Sequence, residues 1–376
     1  VFGQNRSLFV PVASLAVQDY ALNFFISSKW QRMVIWLATC LGLGRKVSNG
    51  DGVKWCEISD VFTLAESILS GESAKDIKAE HAFYAIRLGS KGPYQKTSLI
   101  AITQAGQPLF YAKVAVGVTA DAMVDAESTC LQRLSLIEPL KGMVPQKLNS
   151  GKSPSGRAYF TTTVASTLKT NNQFQCQHEQ FLSTLGYATM QWGQYASSAE
   201  AQFTKFALER LKLVLGESAH SELALAAQDI LSEIGELNLP MVMAHRDFAP
   251  WNIRWHKSGI FVFDWEYAAE GANPLVDFFH FHLIQQALAG HTYASISCYA
   301  LTLTLPALKF LQQYYPAVNW VPKIVKYLLL AYLVDLMLFY VDSDKKYDVN
   351  NPVLSNYLYL IKQLKLNLLN SGEFES

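Results

Sequence analysis

VMAHRDFAPWNIRWHKSGIFVFDWEY (residues 242–267) is the stretch on which the reading of this chain turns. An apolar run, 241–244, leads into His245-Arg246-Asp247, and Asn252 follows five residues after Asp247. A polar turn, Lys257-Ser258-Gly259, separates this from a second apolar run, 260–263, that ends at Asp264. The pattern predicts a hairpin whose two strands each deliver a carboxylate, with an amide between them in sequence. Phosphoryl transfer from Mg-ATP needs such a set. One carboxylate orients or deprotonates an acceptor hydroxyl, while an amide and a second carboxylate hold Mg²⁺.

Upstream the pattern is that of short strands. Residues 82–88, 97–103 and 108–116 alternate or run apolar between turn signals, Gly89-Ser90-Lys91-Gly92-Pro93-Tyr94 and Gln104-Ala105-Gly106-Gln107. The third of these strands carries Lys113. A helix is predicted over 120–134, with Glu127, Leu131 and Leu134 on neighbouring faces, then strands near 144–148 and 158–164. Downstream of Ser166 the chain turns helical, with helices expected at 174–185, 200–215, 221–237, 274–288, 295–314, 321–341 and 352–369. The fold class is therefore α+β, with a small antiparallel sheet before a mainly helical part. Domain boundaries are expected as 1–76, a mainly helical N-terminal extension; 77–165, the strand-rich part; and 166–376, the helical part with the motif. In the extension, 20–43 and 59–69 read as helices separated by the turn Asn49-Gly50-Asp51-Gly52, and 72–80 as a polar linker. The extension is also the segment through which a protein partner is expected to dock.

Composition excludes several classes. Lys+Arg and Asp+Glu both number 31, so no basic surplus calls for nucleic acid or an anionic membrane. The 5 cysteines (Cys40, Cys56, Cys130, Cys176, Cys298) form no C-x-x-C pair, which argues against a zinc site or a disulfide framework and for a reducing, cytoplasmic setting. The opening residues lack the pattern of a signal peptide. The longest apolar run, 327–341, contains Asp335 and reads as a buried helix, too short to span a bilayer.

With H-R-D-F-A-P-W-N, then F-D-W-E, and Lys113 and Glu127 upstream in that order, the chain resembles the bilobal protein-kinase-like fold. Within it the closer resemblance is to the aminoglycoside phosphotransferase and choline kinase group, over roughly residues 80–345. The resemblance implies an ATP- and Mg²⁺-dependent small-molecule kinase. Asp247 is then the base toward the acceptor hydroxyl, and Asn252 and Asp264 are the Mg²⁺ ligands. Lys113 pairs with the α/β-phosphates and Glu127 holds Lys113. Ser90 and Lys91, with the backbone of 89–92, lie where the family covers the phosphates. His245 is read as a brace for the loop, Arg246 as a salt-bridge partner, and Asp277 as the anchor of the catalytic loop from the following helix.

Protein substrates are disfavoured. Asp264 is followed by Trp265-Glu266 rather than by the D-F-G pattern, no A-P-E occurs, and a helix is already expected from residue 274, which leaves no room for an activation loop. For the acceptor, Trp251, Trp255, Trp265, Tyr267, Trp320 and Tyr340 are candidate rings around a quaternary amine. Glu266, Glu270 and Asp335 are candidate partners of aminoglycoside amino groups. The runs D-F-A-P-W-N, F-D-W-E-Y-A and P-L-V-D-F-F-H-F also resemble bacterial phosphotransferases associated with surface polysaccharide synthesis. The expected acceptor is thus a sugar or aminoglycoside-like polyol, with a choline or ethanolamine-type amino alcohol as the alternative. A catalytically silent kinase-like binding module is the rival from another class.

Overall fold

Three strands predicted between 82 and 116 form the centre of an antiparallel sheet in a computed structural model that describes residues 8–9, 14–26, 82–256 and 259–371. In chain order the elements are β1 (Leu8–Phe9), α1 (Leu15–Phe25), β2 (Ala82–Leu88), β3 (Lys96–Thr103), β4 (Pro108–Ala115), α2 (Val118–Leu134), β5 (Lys147–Lys152) and β6 (Ala158–Thr162). Then follow α3 (Cys176–Thr189), β7 (Gln191–Gln194), α4 (Ala199–Ile234), β8 (Asn238–Ala244), β9 (Ile253–His256), β10 (Gly259–Val262) and β11 (Ala269–Ala272). The chain closes with α5 (Val276–Leu288), α6 (Tyr293–Thr302), α7 (Thr304–Tyr314), α8 (Pro322–Asp344) and α9 (Pro352–Ser371). It divides into two units, one of residues 1–170 with 254–266 and one of residues 171–253 with 267–376.

The first unit is built on a six-stranded sheet, order β1-β2-β3-β4-β6-β5, every pair antiparallel. Strand alternation gives it two faces. One buries Ile86, Leu88, Leu99, Ala101, Phe110, Ala112 and Val114 together. On the other, α1 lays Val17 and Ala21 against Ala85, Ile100 and Ile102, with Tyr20, Phe24 and Phe25 packed around them. The described part of the N-terminal segment is thus a layer of this unit's core. The described helix is Leu15–Phe25, capped at Ser14, so it starts five residues before the predicted 20–43 and overlaps it at 20–25. The rest of that helix, the expected helix 59–69, the linker 72–80, and Cys40 and Cys56 lie outside the described residues, as does most of the segment assigned to a protein partner. The fifth strand starts at Lys147 rather than 144, because Pro145 has no N–H for the ladder and Gln146 instead bonds Thr163 through its own N–H and carbonyl.

The expected hairpin from 241–244 to 260–263 is corrected. Those apolar runs lie in different sheets. The hairpin is β9 with β10, while β8 pairs with β7 and β11. The β9–β10 hairpin belongs to the first unit, where Trp255 N–H donates to the Lys169 carbonyl at 2.8 Å and Val262 N–H to the Met143 carbonyl at 2.8 Å.

In the second unit, the two predicted helices 200–215 and 221–237 are the two halves of α4, separated where the backbone breaks at Gly216 (φ 72°), a positive φ that glycine tolerates. Conversely, predicted helix 295–314 divides into α6 and α7. Pro306 is the third residue of α7, and its missing N–H is harmless only in a first turn, so a new helix starts there. The apolar run 327–341 extends at both ends into the 23-residue α8, whose most apolar 18 residues have mean hydropathy 2.0. That is long and apolar enough to cross a bilayer, which corrects the length argument, and Tyr293–Tyr314 passes the same test at 1.4. Most of that α8 stretch (78%) is buried in the chain's own packing, as in a core helix.

Candidate active site

Lys113 sits on β4 opposite Ser98 of β3 and Phe160 of β6, deep in the sheet, and its side chain is buried. Its ammonium donates to Glu127 Oε2 at 2.6 Å, to Asp264 Oδ1 at 2.7 Å and to Glu266 Oε2 at 3.4 Å. Lys96 also donates to Glu266. Burial works against the Lys113 charge, but Asp264, Glu127 and Glu266 together outweigh it and hold its pKa well above the ordinary value. Glu127 is pushed up to about 7, first by burial and then by Asp264 and Glu266, against the pull of Lys113. Its second oxygen, Oε1, accepts the backbone N–H of Trp265 at 3.2 Å. Trp265 itself is buried and bonds the Val262 carbonyl through Nε1 at 2.9 Å. The Glu127 carboxylate therefore ties α2 both to the lysine of β4 and to the segment that carries Asp264.

Asp264 is the most open member of the group, its side chain 36% exposed, and it takes a left-handed backbone with φ 70°. The carboxylate oxygens of Glu127, Asp264 and Glu266 all lie within 4.8 Å of one another. Glu127 and Glu266 engage Lys113 and Lys96, so of the three it is the more open Asp264 whose hard carboxylate oxygens suit Mg²⁺. Ser90 and Lys91 lie in the β2–β3 connection of the same unit, with Lys91 exposed. This turn is tight at Gly89, where a Cβ would stand 2.6 Å from the Lys96 carbonyl oxygen.

The second unit holds the H-R-D-F-A-P-W-N loop after β8. Asp277, in the first turn of α5, accepts the His245 N–H at 2.7 Å on one oxygen and the Arg246 N–H at 2.9 Å on the other. Burial raises the Asp277 pKa, opposed by His245 and by these N–H groups. Arg246 has φ 63°, and its buried guanidinium pairs with Asp335 and lies over the Phe339 ring at 4.4 Å. His245 Nδ1 accepts the Asp247 N–H at 3.2 Å. Phe248 is buried against Phe181, stacked at 5.7 Å, which pins the loop at the residue after Asp247.

Asp247 is 24% exposed. Its Oδ2 accepts from Asn252 Nδ2 at 2.8 Å, and its Oδ1 lies 3.3 Å from His280 Nε2. Asn252 Nδ2 also reaches the Asp247 carbonyl at 3.0 Å, so the amide's two protons face Asp247 and its Oδ1 remains an acceptor. A short 3-10 turn, Pro250–Asn252, sets this five-residue reach.

The structure thus brings Lys113, Glu127 and Asp264 together in one unit and Asp247 with Asn252 in the other. Arg246 and Asp277 have the loop partners expected of them. Two acceptor candidates are corrected. Glu266 is engaged by Lys96 and Lys113, and Asp335 is buried against Arg246, so neither stands ready for a substrate amine. Glu270 is exposed on β11. Of the candidate rings, Trp265 and Trp320 are core residues whose indole N–H groups are used internally. Trp251 is exposed, and Tyr267 packs edge-on to Phe339 at 5.1 Å, with Tyr340 beside that ring at 5.9 Å. Sequence reasoning missed Lys96, Glu266 as a partner of Lys113, and His280. For His280 a signal existed: it lies three residues after Asp277 on one helix, hence on the same face toward the loop.

Comparison with known proteins follows the same lines. Residues 99–297 match the family model described as Phosphotransferase enzyme family (APH). Among solved structures, a choline kinase from Cryptosporidium parvum Iowa II aligns with TM-score 0.52 at 11% identity, covering 84% of this chain and 97% of that one. An ethanolamine kinase from Plasmodium vivax gives 0.51 at 12%, covering 93% and 98%. The choline kinase LicA from Streptococcus pneumoniae gives 0.50 at 12%, covering 81% and 99%. At these identities the likeness establishes the bilobal kinase-like fold. No curated protein matches the chain in sequence. The chain belongs to the phosphotransferase enzyme family, and it is a small-molecule phosphotransferase acting on a hydroxyl acceptor.

Proposed function

We propose that the chain is a kinase that moves the γ-phosphate of ATP, with Mg²⁺, to a hydroxyl of a sugar or other polyol. The observation that carries this reading is the buried Lys113 ammonium held by Glu127 and Asp264. A lysine kept charged and aimed by a helix carboxylate is what the phosphates of a nucleotide require. Mg²⁺, when bound, would neutralise charge on the phosphate oxygens. Asp264 and the Oδ1 of Asn252 are the oxygens proposed to hold it. Asp247 receives the hydroxyl proton as the acceptor oxygen bonds to the γ-phosphorus and the bond from that phosphorus to the β-phosphate oxygen breaks, releasing ADP. Asn252 and His280 each engage one Asp247 oxygen, and each oxygen keeps a lone pair for that proton.

A second reading, an amino-alcohol kinase, is favoured by the rings of Tyr267 and Tyr340, gathered about Phe339, since aromatic faces attract a quaternary ammonium. The choline and ethanolamine kinases named above bear on it through their fold alone. A screen of Mg-ATP against sugars, aminoglycosides, choline and ethanolamine, reading phosphate gain by mass, tests both. Phosphorylation of a sugar supports the first, and phosphorylation of choline alone replaces it with the second. No phosphate gain anywhere, with no thermal shift on adding Mg-ATP, refutes the nucleotide-dependent reading.

A further inference from the structure

Both oxygens of Asp247 are held, and the holder of Oδ1 is not part of the loop. His280 lies fully buried on α5, one turn after Asp277. Its Nε2 faces Asp247 Oδ1 at 3.3 Å, and its Nδ1 faces the Tyr332 hydroxyl at 3.2 Å. Tyr332, on α8, is in turn 2.9 Å from the Tyr357 hydroxyl on α9. All three links lie inside one unit, and Tyr332 and Tyr357 are buried.

The chemistry of the donors fixes the direction of the chain. A carboxylate at Asp247 only accepts, so His280 Nε2 must carry a proton toward it. In the Nε2–H tautomer Nδ1 is then an acceptor, and among the described residues the donor facing it is the Tyr332 O–H. The Tyr332 oxygen can then accept from Tyr357. Burial raises the pKa of both tyrosines, so both keep their protons. Each link therefore has one donor and one acceptor, with no conflict along the line.

We propose that His280 is a positioning residue for the reaction, locked by Tyr332 and Tyr357 in the Nε2–H tautomer so that its N–H fixes the rotamer of the Asp247 carboxylate. The proposal rests on the assignment of Asp247 as the base. A loop side chain held only by Asn252 would be free to turn about its Cβ–Cγ bond. A second bond from a buried, rotationally fixed imidazole removes that freedom. Misplacement of a reacting group by about 1 Å costs on the order of a hundredfold in rate.

The test combines a spectrum with turnover on the full chain. Two-bond ¹H–¹⁵N correlation of histidine-labelled protein, with the His280 peaks assigned by their loss in His280→Gln, reads the tautomer directly. Wild type is expected to show the Nε2–H pattern, and Tyr332→Phe, nearly isosteric, a mixture of tautomers. With Mg-ATP alone and water as acceptor, ADP release is expected to fall roughly ten- to hundredfold in His280→Leu with KM for ATP unchanged, and to recover in large part in His280→Gln, which restores an N–H donor. A purely structural role would move neither the tautomer pattern nor kcat alone. An Nδ1–H pattern in wild type, or full turnover in His280→Leu where Asp247→Ala is inactive, overturns the proposal. Wild-type turnover in Asp247→Ala with the Nε2–H pattern intact removes the base assignment instead, and the positioning role with it.

Discussion

Replacing Asp277 by Asn removes one negative charge and almost no volume. In the native protein its two oxygens accept the backbone N–H groups of His245 and Arg246 at 2.7 and 2.9 Å. An amide keeps one acceptor oxygen but presents an NH₂ to the other N–H, donor against donor. One charge-assisted bond is lost, about 1.5–3 kcal/mol, and one buried N–H is left unsatisfied, about 1–3 kcal/mol more. The sum is roughly 2.5–6 kcal/mol, and Arg246 at φ 63° adds pressure to escape its left-handed backbone. For a unit of this size that is a drop of roughly 5–24 °C in its unfolding transition. The loop that carries Asp247 loosens at the same time, so phosphoryl transfer is expected to fall about a hundredfold or more. Differential scanning calorimetry and ADP release under Mg-ATP measure the two effects. A transition within 1 °C and turnover within about twofold of wild type would refute the anchoring argument.

Further expectations follow from the same geometry. Asp264→Ala should abolish Mg-dependent nucleotide binding, read by titration calorimetry, while Asp247→Ala keeps binding and loses transfer; equal ATP affinity in Asp264→Ala and wild type rejects the metal assignment. Glu127 has a folded pKa raised from 4.5 to about 7, so the native state binds its proton more tightly than the unfolded chain. The stabilisation linked to that proton is fully present below the unfolded pKa and is lost as pH rises through about 7, and Glu127→Gln should flatten the pH dependence of urea unfolding between pH 5 and 8. Gly186→Ala should destabilise the helical unit by about 1–3 kcal/mol, because the added Cβ would meet the Tyr315 hydroxyl at 1.9 Å; an unchanged urea midpoint would show that Tyr315 moves aside freely.

The legible parts were those carried by side-chain periodicity and by spacing. Strand 82–88 appears at its predicted bounds, and Lys113 and Glu127 meet because a central-strand lysine and a helix glutamate fourteen residues on share one face of the unit. The five-residue interval from Asp247 to Asn252 spans one short turn, so their contact is local. What the sequence hid depends on long-range partners. Nothing near Glu266 names Lys96, 170 residues away, and nothing near Asp335 names Arg246, 89 residues away. A proline divided one predicted helix in two, whereas the break at Gly216 falls between the two helices expected at 200–215 and 221–237. The hairpin was misread because apolar runs identify strands without identifying their neighbours: β8 chose β7 and β11.

The non-glycine residues with left-handed backbones at the motif, Arg246 and Asp264, have a common explanation. Each such conformation costs roughly 1–3 kcal/mol and persists only where surrounding bonds over-determine it. In each unit a buried helix carboxylate does so. Asp277 accepts the N–H groups of His245 and Arg246, and Glu127 accepts the N–H of Trp265, the residue after Asp264. A hydrogen bond to a charged group contributes about 1.5–3 kcal/mol, enough to offset the strain at each turn. The strained turns end their strands sharply, so that Asp247 and Asp264 leave the strands with partly exposed carboxylates, 24% and 36%, while Arg246, Phe248 and Trp265 beside them stay buried. On this account the two anchors differ in one respect that experiment can reach. Asp277 bonds only backbone, so its loss is felt first as loop order. Glu127 bonds backbone and Lys113 together, so its loss disturbs the turn at Asp264 and the lysine's orientation at once. Glu127→Ala should therefore weaken Mg-ATP binding through both Lys113 and Asp264, by more than Lys113→Met does alone; a smaller effect than Lys113→Met would mean that the turn at Asp264 holds its shape without Glu127.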